Sequence, residues 1–86
     1  MDINSLNLII EKKISQNISC KKIIIEDKTF LHKNHKSHEK NKFHIKLIIK
    51  SDELLKMNRI ESTKKIYKIL YHELKYYIHS IEVLLN

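Results

Sequence analysis

The chain has 86 residues with one cysteine and neither glycine nor proline, and 17 Lys plus Arg against 10 Asp plus Glu leave it at +7. That length makes one domain with a modest core and little room for a deep catalytic pocket, and without glycine no Walker loop, dinucleotide fingerprint or other glycine-rich phosphate cradle can exist. The basic excess suits nucleic acid, an anionic surface or an acidic protein without choosing among them, and the abundance of Ile, Lys and Asn is also what coding sequence rich in A and T produces.

Asp2 or Asn4 is placed to cap a first helix running to about Ile14, because Ile3, Leu6, Ile10 and Ile14 trace one face. The apolar run Leu6 to Ile10 is short and interrupted by Asn7, so it reads as neither signal peptide nor membrane span. Ser15 to Ser19 is a polar exit turn. Cys20 to Asp27 then carries Ile23, Ile24 and Ile25, a first strand with Ile23 and Ile25 inward. Over residues 28–42 hydrophobic periodicity vanishes, and His32, His35 and His38 stand among lysines and asparagine, which predicts a long flexible loop. The organising stretch follows. Phe43, Ile45, Leu47 and Ile49 fall on one side of a pleated strand and His44, Lys46 and Lys50 on the other, with only Ile48 out of pattern.

Ser51, Asp52 and Glu53 supply the cap and first turn of a short helix around Leu54 to Met57. From Ile60 to Ile78 a long helix is expected to cover the strand, since Ile66, Leu70, Leu74 and Ile78 recur every fourth residue. His79 opens a last strand whose alternating face is Ile81, Val83 and Leu85, and a strand, crossover helix and strand predict a right-handed parallel connection. The expectation is a single α+β domain over 1–86, ordered α-β-β-α-α-β, with a three-stranded mixed sheet covered by helices. There is no internal repeat and no second domain. Cys20, alone, forms no intramolecular disulfide and fits a reducing, cytoplasmic setting.

From His44 onward the pieces HIKLIIKSDEL, IYKILYHEL and IHSIEVLL follow without a gap the register of the BolA family, which the chain resembles from about Lys22 to Leu85. Upstream, IEDKTFLH is similar to that family's first-strand exit, with an acidic residue, a hydroxyl residue, an aromatic and a histidine in the same order. Ser51 and Asp52, the register from Tyr67 to Leu74, and His79 carry the likeness together. The resemblance implies a class II KH-like fold of the same element order. Two positions depart from it: Ser62 and Thr63 stand where the family has an Arg-His pair, with Lys64 keeping the charge, and Lys56 replaces the short-helix glycine.

BolA-like proteins pair with monothiol glutaredoxins and share a bridging 2Fe-2S cluster. The histidine at the start of the last strand and a His or Cys of the loop after strand one are this partner's ligands. Carried over, those are His79 and His32, with His35 and His38 as alternatives. The resemblance thus implies a non-enzymatic protein of iron–sulfur cluster assembly, transfer or iron sensing, monomeric alone and without a tightly bound cofactor of its own.

Read from chemistry alone, neutral imidazole binds borderline metals and can replace thiolate on an iron–sulfur cluster. His32, His35 and His38 have no Cys pair or helical H-x3-H beside them, so a solvated basic loop is their plain alternative. That of His79 is a half-buried histidine hydrogen-bonded at a helix-to-strand junction. Cys20 reads as an inert packing residue, His72 as surface, and His44 as an exposed, outward strand residue.

A second functional reading is DNA-binding transcriptional regulation, with Lys64, Lys65, Lys68 and Lys75 on the outer side of the long helix reaching phosphates. Their ordinary role is a solvated helix face, and a chain without glycine has no GXXG clamp for single strands. Tyr71, Tyr76 and Tyr77 are expected to pack against the sheet. A third reading is a small adaptor with neither cargo. No Ser-His-Asp or Cys-His arrangement points to catalysis.

Overall fold

The computed structural model describes residues 1–29 and 42–86. Its elements are α1 (Ile3–Asn17), β1 (Lys22–Asp27), β2 (Phe43–Lys50), α2 (Asp52–Leu55), α3 (Arg59–Ile69), α4 (Tyr71–Tyr76) and β3 (Ile78–Leu85). The strands lie in the order β1-β2-β3, so β2 is central, antiparallel to β1 and parallel to β3. A parallel neighbour requires a crossover connection, and α2, α3 and α4 supply it.

Asp2 is the residue that caps α1, its Oδ1 accepting from the Ser5 N–H at 2.8 Å. The helix runs on to Asn17, past the expected end, and turns Leu6, Ile10 and Ile14 fully inward. Against that face and the buried Ile66 and Leu70 lies the inner side of the sheet, where Ile45, Leu47 and Ile49 of the central strand are fully or almost fully covered. Ile23, Ile25, Ile81, Val83 and Leu85 of the two outer strands are half-buried. Each fully buried aliphatic side chain contributes roughly 1.5–3 kcal/mol. A half-buried tie accompanies this packing: Lys13 of α1 donates to both carboxylate oxygens of Glu73 in α4, at 2.9 and 2.8 Å.

Ser51 caps α2 as its position in the sequence suggests, with Oγ accepting from Leu54 N–H at 3.2 Å and donating to the Ser19 carbonyl at 2.7 Å. The helix begins at Asp52, in the first turn expected of it, and ends at Leu55, two residues short of Met57. At α3, Asn58 accepts from Glu61 N–H at 2.9 Å while its amide donates back to Glu61 Oε1 at 2.6 Å, a reciprocal cap.

The expected long helix is divided at Leu70, whose φ of −98° and ψ of 18° leave the α-helical well. With no proline or glycine to interrupt it, hydrogen bonding still passes through the bend, from Leu70 N–H to Ile66 O at 3.0 Å and from Leu74 N–H to Leu70 O at 2.8 Å. Ile78 is not helical. It is the first residue of β3, paired with Phe43, and remains in the core. Both the helical and the strand periodicity ask for an inward side chain there, so apolar spacing alone overshoots the boundary.

On the outer side of the sheet, cross-strand pairing lines up Ile24, Ile48 and Leu84 beside a row of Glu26, Lys46 and Glu82. Ile48, the residue that broke the alternation, is the centre of that apolar row.

Candidate functional site

The site begins with an irregularity. Phe43 pairs with Ile78 and His44 with Ser80, so His79 is an extra residue with no counterpart on β2, a β-bulge at the mouth of the parallel pair. His79 and Ser80 are both exposed, while Ile78 before them is buried and Ile81 after them packs against the core. His79 therefore opens β3 as an exposed residue.

His44 corrects one expectation. It does point away from the helices, as its position in β2 requires, but it is buried, with 4% of its surface exposed. Its Nδ1 lies 2.6 Å from Ser80 Oγ, and its ring lies beside that of His79, with centroids 4.9 Å apart and planes tilted by 48°. Its backbone is fastened too, the N–H donating to Thr29 Oγ1 at 3.2 Å and the carbonyl accepting from Lys28 N–H at 2.7 Å. Thr29 is held in turn by Asp27, whose Oδ1 accepts from the Thr29 N–H at 3.0 Å and also from its hydroxyl. The acidic and hydroxyl residues of IEDKTFLH thus form a turn that anchors the exit of β1 on His44.

Phe43 N–H donates to the Tyr77 carbonyl at 2.9 Å, tying the entry of β2 to the junction that leads into β3. Thr29 and Phe43, on either side of segment 30–41, consequently lie beside His44 and the entrance of β3. His32, His35 and His38 belong to that segment and lie outside the described residues. A cleft of ≈ 370 Å³ opens next to the histidine pair, lined by Lys28, His44, Ile45, Lys46, Ser80, Ile81 and Glu82. At its edge Lys28 Nζ meets Glu26 Oε2 at 2.9 Å, a hydrogen bond that holds the Glu26 carboxyl below its ordinary pKa of 4.5. Among the described residues, no three of His, Cys, Asp and Glu gather as an ion site.

Cys20 is at the other end of the sheet, since Lys21 bonds to Lys50 whereas His44 is near the start of β2. Its thiol is raised above its ordinary pKa of 9.0, first by burial and then by the charge of Glu53, with a Ser51 hydrogen bond opposing. A half-buried thiol whose Sγ donates to the Ile18 carbonyl at 3.4 Å is the packing residue expected of it.

The basic helix face is only partly as expected. Lys64, Lys68 and Lys75 are exposed, but Lys65 turns back to bond Glu53 Oε2 at 2.8 Å and joins α3 to α2. The tyrosines need correction as well: only Tyr77 packs against the core, whereas Tyr71 and Tyr76 are 67% and 52% exposed. Leu70 and Leu74 take the inward positions of this bend, which leaves Tyr71 and Tyr76 outside. His72, exposed as anticipated, stands against Tyr76 with centroids 4.8 Å apart.

The partnership of His44 with the β3 entrance escaped the sequence reading, yet it left a signal. Ile78 and Ile81 are three residues apart, an odd spacing that no regular strand can turn to one face. A bulge, and hence two consecutive outward residues, follows from that spacing.

With the site described, the comparisons have a geometric context. The BolA domain of SufE1 from Arabidopsis thaliana superposes with a TM-score of 0.77 at 21% identity, covering 100% of this chain and 93% of that one. BolA1 from Arabidopsis thaliana gives 0.73 at 20% identity, over 90% and 85% of the two chains, and BolA1 from Mus musculus gives 0.71 at 16%, over 90% and 60%. These likenesses establish the fold. No curated protein matches the chain. The family model described as BolA-like protein matches residues 14–85, most of the chain, and with that match this protein belongs to the BolA-like family.

Proposed function

We propose that this protein is a non-enzymatic partner of a monothiol glutaredoxin, and that the pair binds or hands on a 2Fe-2S cluster in iron–sulfur cluster assembly or iron sensing. His79 is this chain's fixed ligand, and a histidine of segment 30–41 is the second, His32 first and His35 or His38 as alternatives. The observation that carries this reading is an exposed histidine on a bulge, at the end of the sheet where Thr29 and Phe43, which flank the segment bearing the other histidines, are fastened.

Each residue has a task in it. The ring of His44, fixed through Ser80, limits the orientations of the His79 ring before any metal arrives, as an outer-shell partner does for a metal-binding histidine. Clusters of this type take four protein ligands, and two imidazoles can occupy one iron while thiolates hold the other. This chain's one thiol is at the far end of the sheet, so the remaining ligands come from a partner. The shared cluster is what the family resemblance implies; that shortage of sulfur is compatible with it, and a reducing, cytoplasmic compartment suits its chemistry.

Co-purification with a monothiol glutaredoxin followed by anaerobic reconstitution tests the proposal. His79→Ala should abolish or markedly change the visible absorption and circular dichroism of the cluster, and His32→Ala should change them as well. Failure of the two proteins to associate, or a spectrum indifferent to His79, refutes the assignment.

One observation favours a second reading, DNA-binding regulation: Lys64 and Lys68 share an exposed helix face with Tyr67 and Tyr71. Titration against salt decides it, because a steep slope without sequence preference reports only positive charge.

A further inference from the structure

The two edges of the sheet differ in a way that the cluster site does not use. Unprotected edge strands invite another strand, and proteins usually blunt them with charges, bulges or short length. The β1 edge is blunted by Lys22, Glu26 and Asp27. On β3, by contrast, everything beyond the bulge from Ile81 to Leu85 is regular and apolar apart from Glu82, and its outer edge has no strand partner among the described residues.

Beneath that edge runs a groove of ≈ 220 Å³ lined by Leu54, Leu55, Met57, Arg59, Ser62 and Thr63 on the helical side and Val83, Leu84 and Leu85 on the strand. The volume is below the roughly 300–1,000 Å³ of small-molecule sites, and suits one or two side chains of a docked segment. Leu55 and Leu84 are 53% and 44% exposed around it. Ser62 and Thr63 keep it open because they are small. Arg59, the only arginine in a chain of many lysines, lines this groove and makes no ion pair among the described residues. Its planar fork suits a carboxylate.

A second copy of the chain is a poor occupant. The residues of another β3 that face the helical side are Ile81, Val83 and Leu85, which offer Arg59 nothing acidic, and a charge of +7 opposes self-association. An acidic partner meets both requirements.

We propose that the outer edge of β3 and the groove beneath it form a docking track for an extended acidic segment of a partner protein, which adds a strand to the sheet and sets a carboxylate against Arg59 and an apolar side chain beside Leu55, Met57 and Thr63. Main-chain bonds along the edge supply affinity, and the groove with Arg59 supplies specificity. This inference uses no histidine and stands apart from the cluster reading.

The test uses the full chain, nitrogen-15 labelled, and a blocked synthetic peptide of about nine residues with alternating valine and threonine around a central glutamate–leucine pair. Saturable amide shifts are expected at Thr63 and at Val83 to Leu85. Arg59→Glu, at an exposed position, should weaken binding at least about tenfold, and a peptide with lysine in place of glutamate should recover binding to that variant. Thr63→Tyr should fill the groove and remove binding, and a peptide with a central proline should fail on the unaltered protein. The proposal is overturned by absence of saturation at millimolar peptide, by shifts confined to the β1 edge, or by binding indifferent to both substitutions. Concentration-dependent shifts of the same amides without peptide also overturn it, since they would mean a second copy.

Discussion

Removing the ammonium from the Lys13–Glu73 tie should cost more than a surface ion pair is worth. The Glu73 side chain is 3% exposed and that of Lys13 is 37% exposed, so water reaches the ammonium but not the carboxylate. Exposed pairs contribute about 0–1 kcal/mol, whereas breaking a buried one by deleting a single partner costs about 3–5 kcal/mol. This pair falls between those limits, and Lys13→Met, which keeps the aliphatic stem, should cost about 2 kcal/mol because it strands the buried carboxylate. For a domain of this size that lowers Tm by roughly 10 °C. Glu73→Gln should cost less, because the freed ammonium can turn to solvent and a neutral amide is cheaper to bury. The double variant Lys13→Met with Glu73→Leu should return close to the stability of the unaltered protein, since no charge remains buried. Urea unfolding followed by circular dichroism, run as a double-mutant cycle, measures the coupling. A Lys13→Met loss below about 0.5 kcal/mol, or a double variant no better than the worse single, would refute the reasoning.

Two other contacts make narrower predictions. Ser51, only 1% exposed, loses both the α2 cap and its bond to the Ser19 carbonyl on Ser51→Ala, so thermal unfolding should report a loss of about 1 kcal/mol, and a loss under about 0.5 would contradict the assignment. Glu53 is held below its ordinary pKa of 4.5, first by the Lys65 side-chain hydrogen bond and then by the Ser19 N–H. A depressed carboxyl stabilises the fold above the unfolded value and loses that contribution as pH falls through the folded one. Lys65→Met should therefore flatten the decline of stability with pH below 4.5, and an unchanged profile would show the bond to be immaterial.

The amphipathic patterns that cover the sheet were legible because burial is cooperative along a face: Leu6, Ile10 and Ile14, or Phe43 to Ile49, each repeat one period long enough to be unambiguous. Ser51 was legible for a local reason, a hydroxyl before two acids and two leucines. Boundaries set by tertiary contact were not. The bend at Leu70 has no proline or glycine to announce it, and Ile78 satisfies helix and strand periodicity at once. The burial of His44 depends on Thr29 and Ser80, residues distant in sequence, and exposure cannot be read from alternation when neighbours on the same face come from other strands. Tyr71 and Tyr76 were misplaced because an aromatic at helical spacing says nothing about which side of a bend it takes.

The bulge connects these strands of reasoning. If His44 paired with His79, the alternation of β3 would send Ile81, Val83 and Leu85 to the solvent side and bring Ser80 and Glu82 into the core, since a slip of one residue inverts every side chain. Inserting one unpaired residue lets Ile78 and Ile81 both face inward. Its by-product is two consecutive outward residues where the strand begins: Ser80 reaches His44, and the exposed His79 sets its ring against that of His44. The core's demand for apolar residues on β3 thus positions the imidazole, and the turn that Asp27 makes with Thr29 holds Thr29 on His44 at the same end of the sheet. Sulfur is kept at the opposite end, in Cys20, where burial suppresses the thiolate. An arrangement with nitrogen at one end and inert sulfur at the other is complete for packing, and the cluster we propose above would need further ligands from a partner to complete its four.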